Sequence, residues 1–249
     1  IIEVSTCRIY GYEMLMRSQL ETLKNPLDII RLARSQSKLY QIEKLTFFQG
    51  METFKKLVEE GKIPFGTKVF INSIGSQILT DSDLEEFREK YADYLKFLVI
   101  ELTETDPLDS QHTKTKIEIA RSNNSMIAID DFGSGYNCES SLIFFSPDFI
   151  KVDMAIVKNI DKDANCRNIL ENIIQYAKKR NIKVLAEGVE TKEEMETLVQ
   201  CGVDYLQGYY FGRPSYEIQP IDPSSLGDMN KIYSKLRKEN KMSEISYEN

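Results

Sequence analysis

Short apolar or alternating stretches recur along the chain, and longer segments with helical spacing separate them. The first two stretches flank "STC", which predicts a hairpin. Strands that alternate with helices are typical of β/α units around a parallel sheet. The pattern therefore predicts eight strands: "IIEV", "RIYGYEML", "KVFIN", "FLVIEL", "MIAIDD", "FIKVD", "KVLAEG" and "DYLQGYYF".

The intervening segments have apolar residues three and four apart, as amphipathic helices do. The clearest prediction is a helix over residues 163 to 180, with one apolar stripe formed by Ile169, Leu170, Ile173, Ile174 and Ala177. Another helix is predicted to begin at Thr191, where Glu194 completes a capping box. Two further helices are predicted from about residue 41 to 60 and from about residue 107 to 121.

Eight strands in 249 residues predict one α/β domain with the architecture of a TIM-like (β/α)8 barrel. The opening hairpin predicts that the first strand of this barrel is antiparallel. A doubly wound open sheet is the alternative. Residues 1–214 are predicted to form the barrel. Residues 215–249 are polar and lysine-rich, and they are predicted to form a C-terminal helix and a polar tail.

Composition narrows the range of partners. The net charge of −7 does not favour DNA or an anionic membrane, and no basic stripe reverses this locally. Four scattered cysteines without metal-type spacing fit a reducing compartment. No apolar run reaches the roughly 18 residues of a membrane helix, so we expect a soluble, cytoplasmic chain. It begins without methionine in a strand-like stretch, which predicts that it is part of a longer protein.

Polar side chains follow nearly every predicted strand. One such residue alone most often caps a helix or meets solvent. In a parallel barrel, however, the carboxyl ends of the strands converge on one face, and crowded carboxylates repel each other unless cations neutralise them. A metal cluster is therefore predicted among the carboxylates at these strand ends, where the polar residues are Glu13, Asn72, Glu101, Asp130, Asp131, Lys151, Glu187 and Gln207.

The donor types select the metal. Oxygen donors dominate and no cysteine accompanies them, while the only histidine, His112, is predicted to be an exposed surface residue. Mg²⁺ or Mn²⁺ is expected, and the number of carboxylates favours two ions. Strand alternation places Glu13 and Leu15 inward and Met14 outward, against the helices.

Two residues of one predicted strand, Lys151 and Asp153, should share the inward face. A lysine among carboxylates stays charged and could hold a nucleophilic water or stabilise developing phosphoryl charge. The alternative is a structural ion pair between Lys151 and Asp153.

The stretch "IAIDDFGSGY" places two aspartates side by side at a strand end. Neighbouring strand side chains point to opposite faces, so a strand that simply continued could not bring both to one site. We predict that the strand ends at Asp130, and that Gly133 and Gly135 permit a turn that brings Asp131 to the same metal pair.

Seven motifs now identify a resemblance. They are "YGYEMLMR", "INS", "ELTE", "DDFGSGY", "IKVD", "LAEGVE" and "LQGYYFGRP". These motifs occur over residues 1–214 in the order that is typical of the EAL domain family. The chain therefore resembles that family of bacterial phosphodiesterases, which open cyclic di-GMP to linear pGpG. The family fold is a barrel with an antiparallel first strand.

The resemblance implies roles for individual residues. It implies that Asp130 bridges two ions, and that Lys151 orients or activates the attacking water with support from Gln207. Glu187 counts as both a ligand and a catalytic residue. The implied metal site is formed by Glu13, Asn72, Glu101, Asp130, Asp131 and Glu187.

The implied substrate contacts are Arg17, to a phosphate, and Leu15. Glu104 matches the glutamate that steadies the loop after Asp131. The signature reads Glu-Met-Leu in place of Glu-Ala-Leu. Because Met14 is predicted to face outward, this departure should have little effect on the chemistry.

The implied activity is hydrolysis of cyclic di-GMP assisted by two Mg²⁺ or Mn²⁺ ions. A homodimer and an upstream sensory or GGDEF domain outside this chain are expected, and segments outside the chain could anchor the whole protein to a membrane. The alternative is a catalytically silent EAL domain that binds cyclic di-GMP as a receptor or scaffold. Silent members typically lose a metal ligand or the lysine, and none is lost here, which favours the enzyme.

Overall fold

A computed structural model describes residues 1–23, 25–103, 111–133 and 138–247. The described residues group into two compact units. The first unit lies within Ile1–Tyr10, Asp130–Tyr136 and Asp148–Asn249, and the second lies within Gly11–Ile129 and Asn137–Pro147.

The strands of the described residues number nine, one more than predicted. "RIYGYEML" is two strands because the segment changes its partner at Tyr10: its first part pairs with the opening strand, and its second part pairs with the next strand along the chain. The strands are β1 (Ile2–Glu3), β2 (Arg8–Ile9), β3 (Gly11–Met14), β4 (Lys68–Asn72), β5 (Leu98–Thr103), β6 (Met126–Phe132), β7 (Phe149–Val152), β8 (Lys183–Ala186) and β9 (Tyr205–Leu206).

The four helices predicted from apolar spacing or from a capping box are present within about two residues where their ends are described, and the helices Pro26–Ser35 and Asp81–Tyr91 were missed. Both begin at a recognisable capping residue, Asn25 before Pro26 and Thr80 before Asp81. The α-helices are α1 (Pro26–Ser35), α2 (Leu39–Glu59), α3 (Asp81–Tyr91), α4 (Gln111–Ser122), α5 (Cys138–Phe145), α6 (Met154–Val157), α7 (Ala164–Lys179), α8 (Lys192–Cys201) and α9 (Pro223–Tyr247).

The sheet of the first unit has the order β2-β1-β9-β8-β7-β6, with β6 contributing its last residues. Strand β1 is antiparallel to both β2 and β9, which confirms the antiparallel opening hairpin. The pairs β7·β8 and β8·β9 are parallel, with Val152 opposite Ala186 and Ala186 opposite Leu206. Residues that follow these strands therefore emerge at one edge of the sheet.

The sheet of the second unit has the order β6-β5-β4-β3, with β6 contributing Met126–Ile129. The pairs β3·β4 and β4·β5 are parallel, and Asn72 lies opposite Glu101. Val69, Phe70 and Ile71 are fully buried, as is typical of parallel strands covered on both faces.

Helix packing follows the predicted periodicity with one correction. In α7, Leu170, Ile174 and Ala177 are buried, but Ile169 is 46% exposed because it lies beyond the edge of the buried stripe. The capping box of α8 is present as predicted: Glu194 N donates to Thr191 Oγ1 and the Glu194 carboxylate accepts from Thr191 N.

No helix in the described part of the chain is both long enough and apolar enough to cross a membrane. The division of the chain at residue 214 stays a prediction.

Candidate metal and catalytic site

Three carboxylates of the first unit come together at the ends of its strands. Asp130 and Asp131 lie at the end of β6, and Glu187 directly follows β8. One carboxylate oxygen from each residue lies within 4.8 Å of the others. Mg²⁺ takes oxygen ligands at about 2.1 Å, so oxygens on opposite sides of one ion are about 4 Å apart. The spacing of the three carboxylates therefore fits a divalent cation.

Lys151 of β7 completes this cluster. Its side chain is 1% exposed, and its Nζ lies 2.8 Å from Asp130 Oδ1 and 2.9 Å from Glu187 Oε1. The observed partners of Lys151 are therefore Asp130 and Glu187, whereas the Asp153 carboxylate accepts a hydrogen bond from Ala155 N at the start of α6. Three carboxylates and one ammonium leave a formal charge of −2, which one divalent cation would balance.

Asp131 reaches the cluster through its backbone conformation. It has φ 54°, in the left-handed region, and its N–H donates to Asp130 Oδ1 at 3.1 Å. Strand β6 continues to Phe132, so the predicted strand end at Asp130 was wrong by two residues. The positive φ rotates Asp131 out of strand alternation within the strand itself. Gly133 follows at φ 101°, and Gly135 lies outside the described residues.

Burial and the neighbouring charges together raise the pKa of Asp131. Desolvation is the largest of the effects that raise the pKa of Asp131 to about 6, although the residue keeps an exposed surface. The Asp130 and Asp153 carboxylates raise the pKa further, and Lys151 opposes them. A carboxyl that is reluctant to ionise beside other carboxylates indicates a site that positive charge would relieve.

Backbone hydrogen bonds fix Glu187 between β7 and β9. Glu187 N donates to Val152 O at 3.2 Å, and Gln207 N donates to Ala186 O at 2.9 Å. Val189 N donates to Gln207 O at 3.1 Å, so Gln207 is tied by its backbone to residues on either side of Glu187. A Cβ at Gly208 would lie 2.2 Å from Val189 N, so only glycine permits this approach.

Buried Glu194 holds the segment that follows Glu187. Its carboxylate accepts from Asn159 N and Glu190 N, both at 2.9 Å, and from Thr191 N at 3.1 Å. Desolvation raises the pKa of Glu194, but these backbone hydrogen bonds outweigh it and leave the pKa below its usual value. The ionised carboxylate therefore stabilises the folded protein.

Glu194→Gln is expected to lower the free energy of unfolding by about 1–3 kcal/mol at pH 7, because a charged acceptor is lost. The folded-state pKa lies below the unfolded-state value. The contribution is therefore fully present above about pH 4.3, the usual pKa of glutamate, and is lost as the pH falls through the lowered folded-state pKa. Urea unfolding at pH 7 and at about pH 3.5 measures this. Exposed Glu193→Gln is the control, and a difference that grows at low pH would contradict the assignment.

The second unit brings together a separate group of predicted site residues. Asn72 Nδ2 donates to Glu13 Oε1 at 3.1 Å, and Asn72 lies opposite Glu101 in the β4·β5 register. Ser73 N donates to Glu101 O at 3.0 Å, which fixes the backbone of Glu101 relative to the end of β4. Glu101 is buried. This unit therefore presents two carboxylates and a carboxamide at neighbouring strand ends.

The remaining predicted residues have less defined surroundings. Met14 Cβ lies 3.9 Å from where a Cβ at Gly50 would be, so Met14 faces α2 as predicted. Leu15 is partly exposed, and exposed Arg17 donates from Nη1 to Met16 O at 2.8 Å. His112 is exposed, as predicted. Glu104 lies outside the described residues.

One buried charged pair was missed by the sequence prediction, namely Glu43 of α2 and Lys116 of α4. A signal was available for Glu43. It falls on the buried stripe of α2, four residues before Phe47 and eight before Met51. A charged residue on an apolar stripe is rarely buried without a partner.

Parallel strands with clusters of oxygen donors at their carboxyl ends are typical of α/β proteins that have an acidic site suited to a metal ion. The chain belongs to the EAL domain family, whose model matches residues 1–214. Among curated relatives, it is 36% identical over 157 residues to the probable cyclic di-GMP phosphodiesterase PdeG of Escherichia coli (strain K12). That match covers 61% of this chain and 31% of PdeG, so the chain spans about a third of that relative's length.

Solved structures support the same fold. The c-di-GMP-bound form of a standalone versatile EAL protein from Vibrio cholerae O395 superimposes with a TM-score of 0.77 at 27% identity, covering 90% of this chain and 93% of that one. Klebsiella pneumoniae BlrP1 in a calcium/cy-diGMP complex gives 0.72 at 26% identity, covering 88% and 55%. A manganese/cy-diGMP complex of BlrP1 gives 0.68 at 26% identity, covering 86% and 54%. The predicted fold class, an EAL-type α/β barrel, is confirmed.

Proposed function

We propose that this chain hydrolyses cyclic di-GMP to linear pGpG at a site that holds two divalent cations. The observation that carries the proposal is the cluster of Asp130, Asp131 and Glu187, with Lys151 buried against it. Its donor chemistry and its formal charge of −2 fit one Mg²⁺ or Mn²⁺ ion, and the second ion is proposed from the number of carboxylates in the predicted site. Relatives named as cyclic di-GMP phosphodiesterases and relatives solved with that nucleotide support the choice of substrate.

The residues proposed to hold the ions are those that the family resemblance implies: Glu13, Asn72, Glu101, Asp130, Asp131 and Glu187. When bound, a pair of divalent cations supplies Lewis-acid activation of water and offsets charge on the phosphate oxygens. The assignment of Asp130 as the bridging ligand is part of the proposal.

The protein's own residues would then orient the reactants. Lys151 is held as an ammonium by Asp130 and Glu187, so its N–H groups can orient the attacking water and stabilise negative charge on the phosphoryl oxygens. Water adds its oxygen to phosphorus, one P–O bond to a ribose 3′ oxygen breaks, and that oxygen leaves with a proton. Gln207 supports this site, Arg17 binds a phosphate, and Leu15 contacts the nucleotide.

A chromatographic assay tests the activity. We expect pGpG to appear when the protein is incubated with cyclic di-GMP and Mg²⁺ or Mn²⁺, and we expect EDTA to stop the reaction because the cations are removed. Isothermal titration with cyclic di-GMP runs in parallel. Tight binding without turnover in either metal would contradict the enzyme and favour a catalytically silent receptor or scaffold.

Homodimerisation and a sensory or GGDEF domain in a longer protein stay predictions, as does a cytoplasmic location. Size-exclusion chromatography with light scattering measures the first directly. A monomer at all concentrations used in the hydrolysis assay would separate activity from dimer formation.

A further inference from the structure

A charged pair is buried in the second unit, beneath the end of β4. Glu43 is 1% exposed and Lys116 is 6% exposed, and Lys116 Nζ lies 2.6 Å from Glu43 Oε1. A second pair joins Lys44 of α2 to Asp83 of α3 at 2.8 Å, and it leaves the lysine side chain 40% exposed. Taking two charges out of water is costly, and a buried ion pair is weak evidence for added stability. The pair therefore calls for another explanation.

The polar atoms of the pair are directed at one short segment, residues 73 to 75. Ser73 Oγ donates to Glu43 Oε1, and Ile74 N donates to Glu43 Oε2, both at 2.8 Å. Lys116 Nζ donates to Ile74 O at 2.8 Å and also to Ser73 Oγ. Both backbone groups of Ile74 are thus held by buried charges. We call Glu43, Lys116 and Ser73 the clamp.

Helix α4 makes one more contact with this segment, because its Thr113 Oγ1 donates to Gly75 O at 3.3 Å. Thr113 is fully buried and lies one turn before Lys116 on α4. Helices α2 and α4 therefore fix three consecutive residues by hydrogen bonds. The chain has little freedom to move where β4 ends.

The clamped segment directly follows Asn72, a proposed metal ligand. Asn72 Nδ2 donates to Glu13 Oε1, and Ser73 N donates to Glu101 O. A shift of Ser73 would move Asn72 along the chain and would break the backbone bond to Glu101. The clamp thus connects two helices to the three proposed ligands of this unit.

We propose that the clamp is a positioning device that sets the geometry of Asn72 and Glu101 for divalent-cation binding. The inference rests on the proposed function. Groups that orient metal ligands from behind typically change metal affinity by 10–100-fold when they are removed. A pair that served stability alone would leave the metal affinity of the folded protein unchanged.

The decisive variant is the double replacement Glu43→Gln with Lys116→Met. It removes both charges together and keeps the volumes similar, so that neither charge is left buried alone. We expect the Kd for Mn²⁺, measured by electron paramagnetic resonance on the full chain, to rise about 10–100-fold. We also expect kcat for cyclic di-GMP to fall more than KM rises, because the substrate contacts are not altered.

The chain offers a matched control that shares helix α2. Lys44→Met with Asp83→Asn removes the ion pair between α2 and α3, whose two residues lie outside the clamp. This variant should keep the wild-type Kd for Mn²⁺. Circular dichroism and the melting temperature, measured without metal, show whether each variant is folded at the assay temperature.

Ser73→Ala is a milder variant in case the double replacement does not fold. It keeps the ion pair and removes only the hydroxyl that Glu43 and Lys116 share. We expect a several-fold increase in the Kd for Mn²⁺ with a small change in melting temperature. The proposal would be overturned if either variant, the double replacement or Ser73→Ala, were folded and kept the wild-type Kd for Mn²⁺.

The two proposals can fail separately. The clamp is judged on Mn²⁺ affinity, which needs no turnover, whereas the proposed function is judged on pGpG formation by the wild-type protein. Mn²⁺ binding that the clamp variants weaken, with no pGpG, would refute the enzyme and support the clamp. A wild-type protein that binds no Mn²⁺ would overturn the clamp as well.

Discussion

Lys151→Met is expected to reduce kcat for cyclic di-GMP hydrolysis by on the order of 10²–10³-fold, the usual loss when a preorganised donor at developing charge is removed. The lysine is 1% exposed and has two carboxylate partners, so its ammonium is held in one place before substrate arrives. Methionine has similar length but cannot donate. Initial rates of pGpG formation at saturating Mn²⁺ measure the effect.

The same replacement separates structural from catalytic roles. Without the ammonium, less positive charge offsets the repulsion between the Asp130 and Glu187 carboxylates. The metal-free variant should therefore melt at a lower temperature. Added Mn²⁺ should restore much of this loss by binding the folded state, but it should not restore kcat. If added Mn²⁺ restored both the melting temperature and the full kcat of the variant, the role of Lys151 in the reaction would be contradicted.

Lys183→Met is the matched control for this experiment. Lys183 lies on β8 of the same unit and pairs with Asp204 at 2.8 Å, with its side chain about half exposed. Exposed pairs of this kind contribute about 0–1 kcal/mol. We expect kcat within about twofold of the wild-type value.

The sequence predicted the fold well because strand burial leaves a plain signal. Val69, Phe70 and Ile71 lie in a continuous apolar run, and such runs identify strands covered on both faces. The break between β2 and β3 could not be predicted in the same way. Both parts of "RIYGYEML" are strand-like, and only the choice of partner strand divides them at Tyr10.

The candidate site was predictable only in part, for a related reason. A polar residue at a strand end can be located from periodicity, and that is how Glu13, Asn72 and Glu187 were found. The left-handed conformation of Asp131 is different, because it depends on a local backbone choice that aspartate adopts only uncommonly. The Glu43–Lys116 pair joins residues 73 positions apart, and no local pattern connects them.

Asp130→Asn is expected to raise the Kd for Mn²⁺ on the order of 10²-fold or more and to abolish detectable turnover. Asp130 Oδ1 accepts from Lys151 Nζ and from Asp131 N, so one oxygen anchors both neighbours in the first unit. Asparagine keeps a carbonyl acceptor and the side-chain shape, so the fold should persist. It removes one of the three charges that balance a cation.

Isothermal titration with Mn²⁺ in the absence of nucleotide measures this directly, and Asp161→Asn is the control. Asp161 belongs to the same unit, and its carboxylate lies 3.6 Å from the exposed Lys162 ammonium. Its replacement should leave the Kd unchanged, because Asp161 is not one of the three clustered carboxylates. A wild-type Kd in Asp130→Asn would mean that the cation is held without this carboxylate. The close approach of Asp130, Asp131 and Glu187 would then serve Lys151 alone.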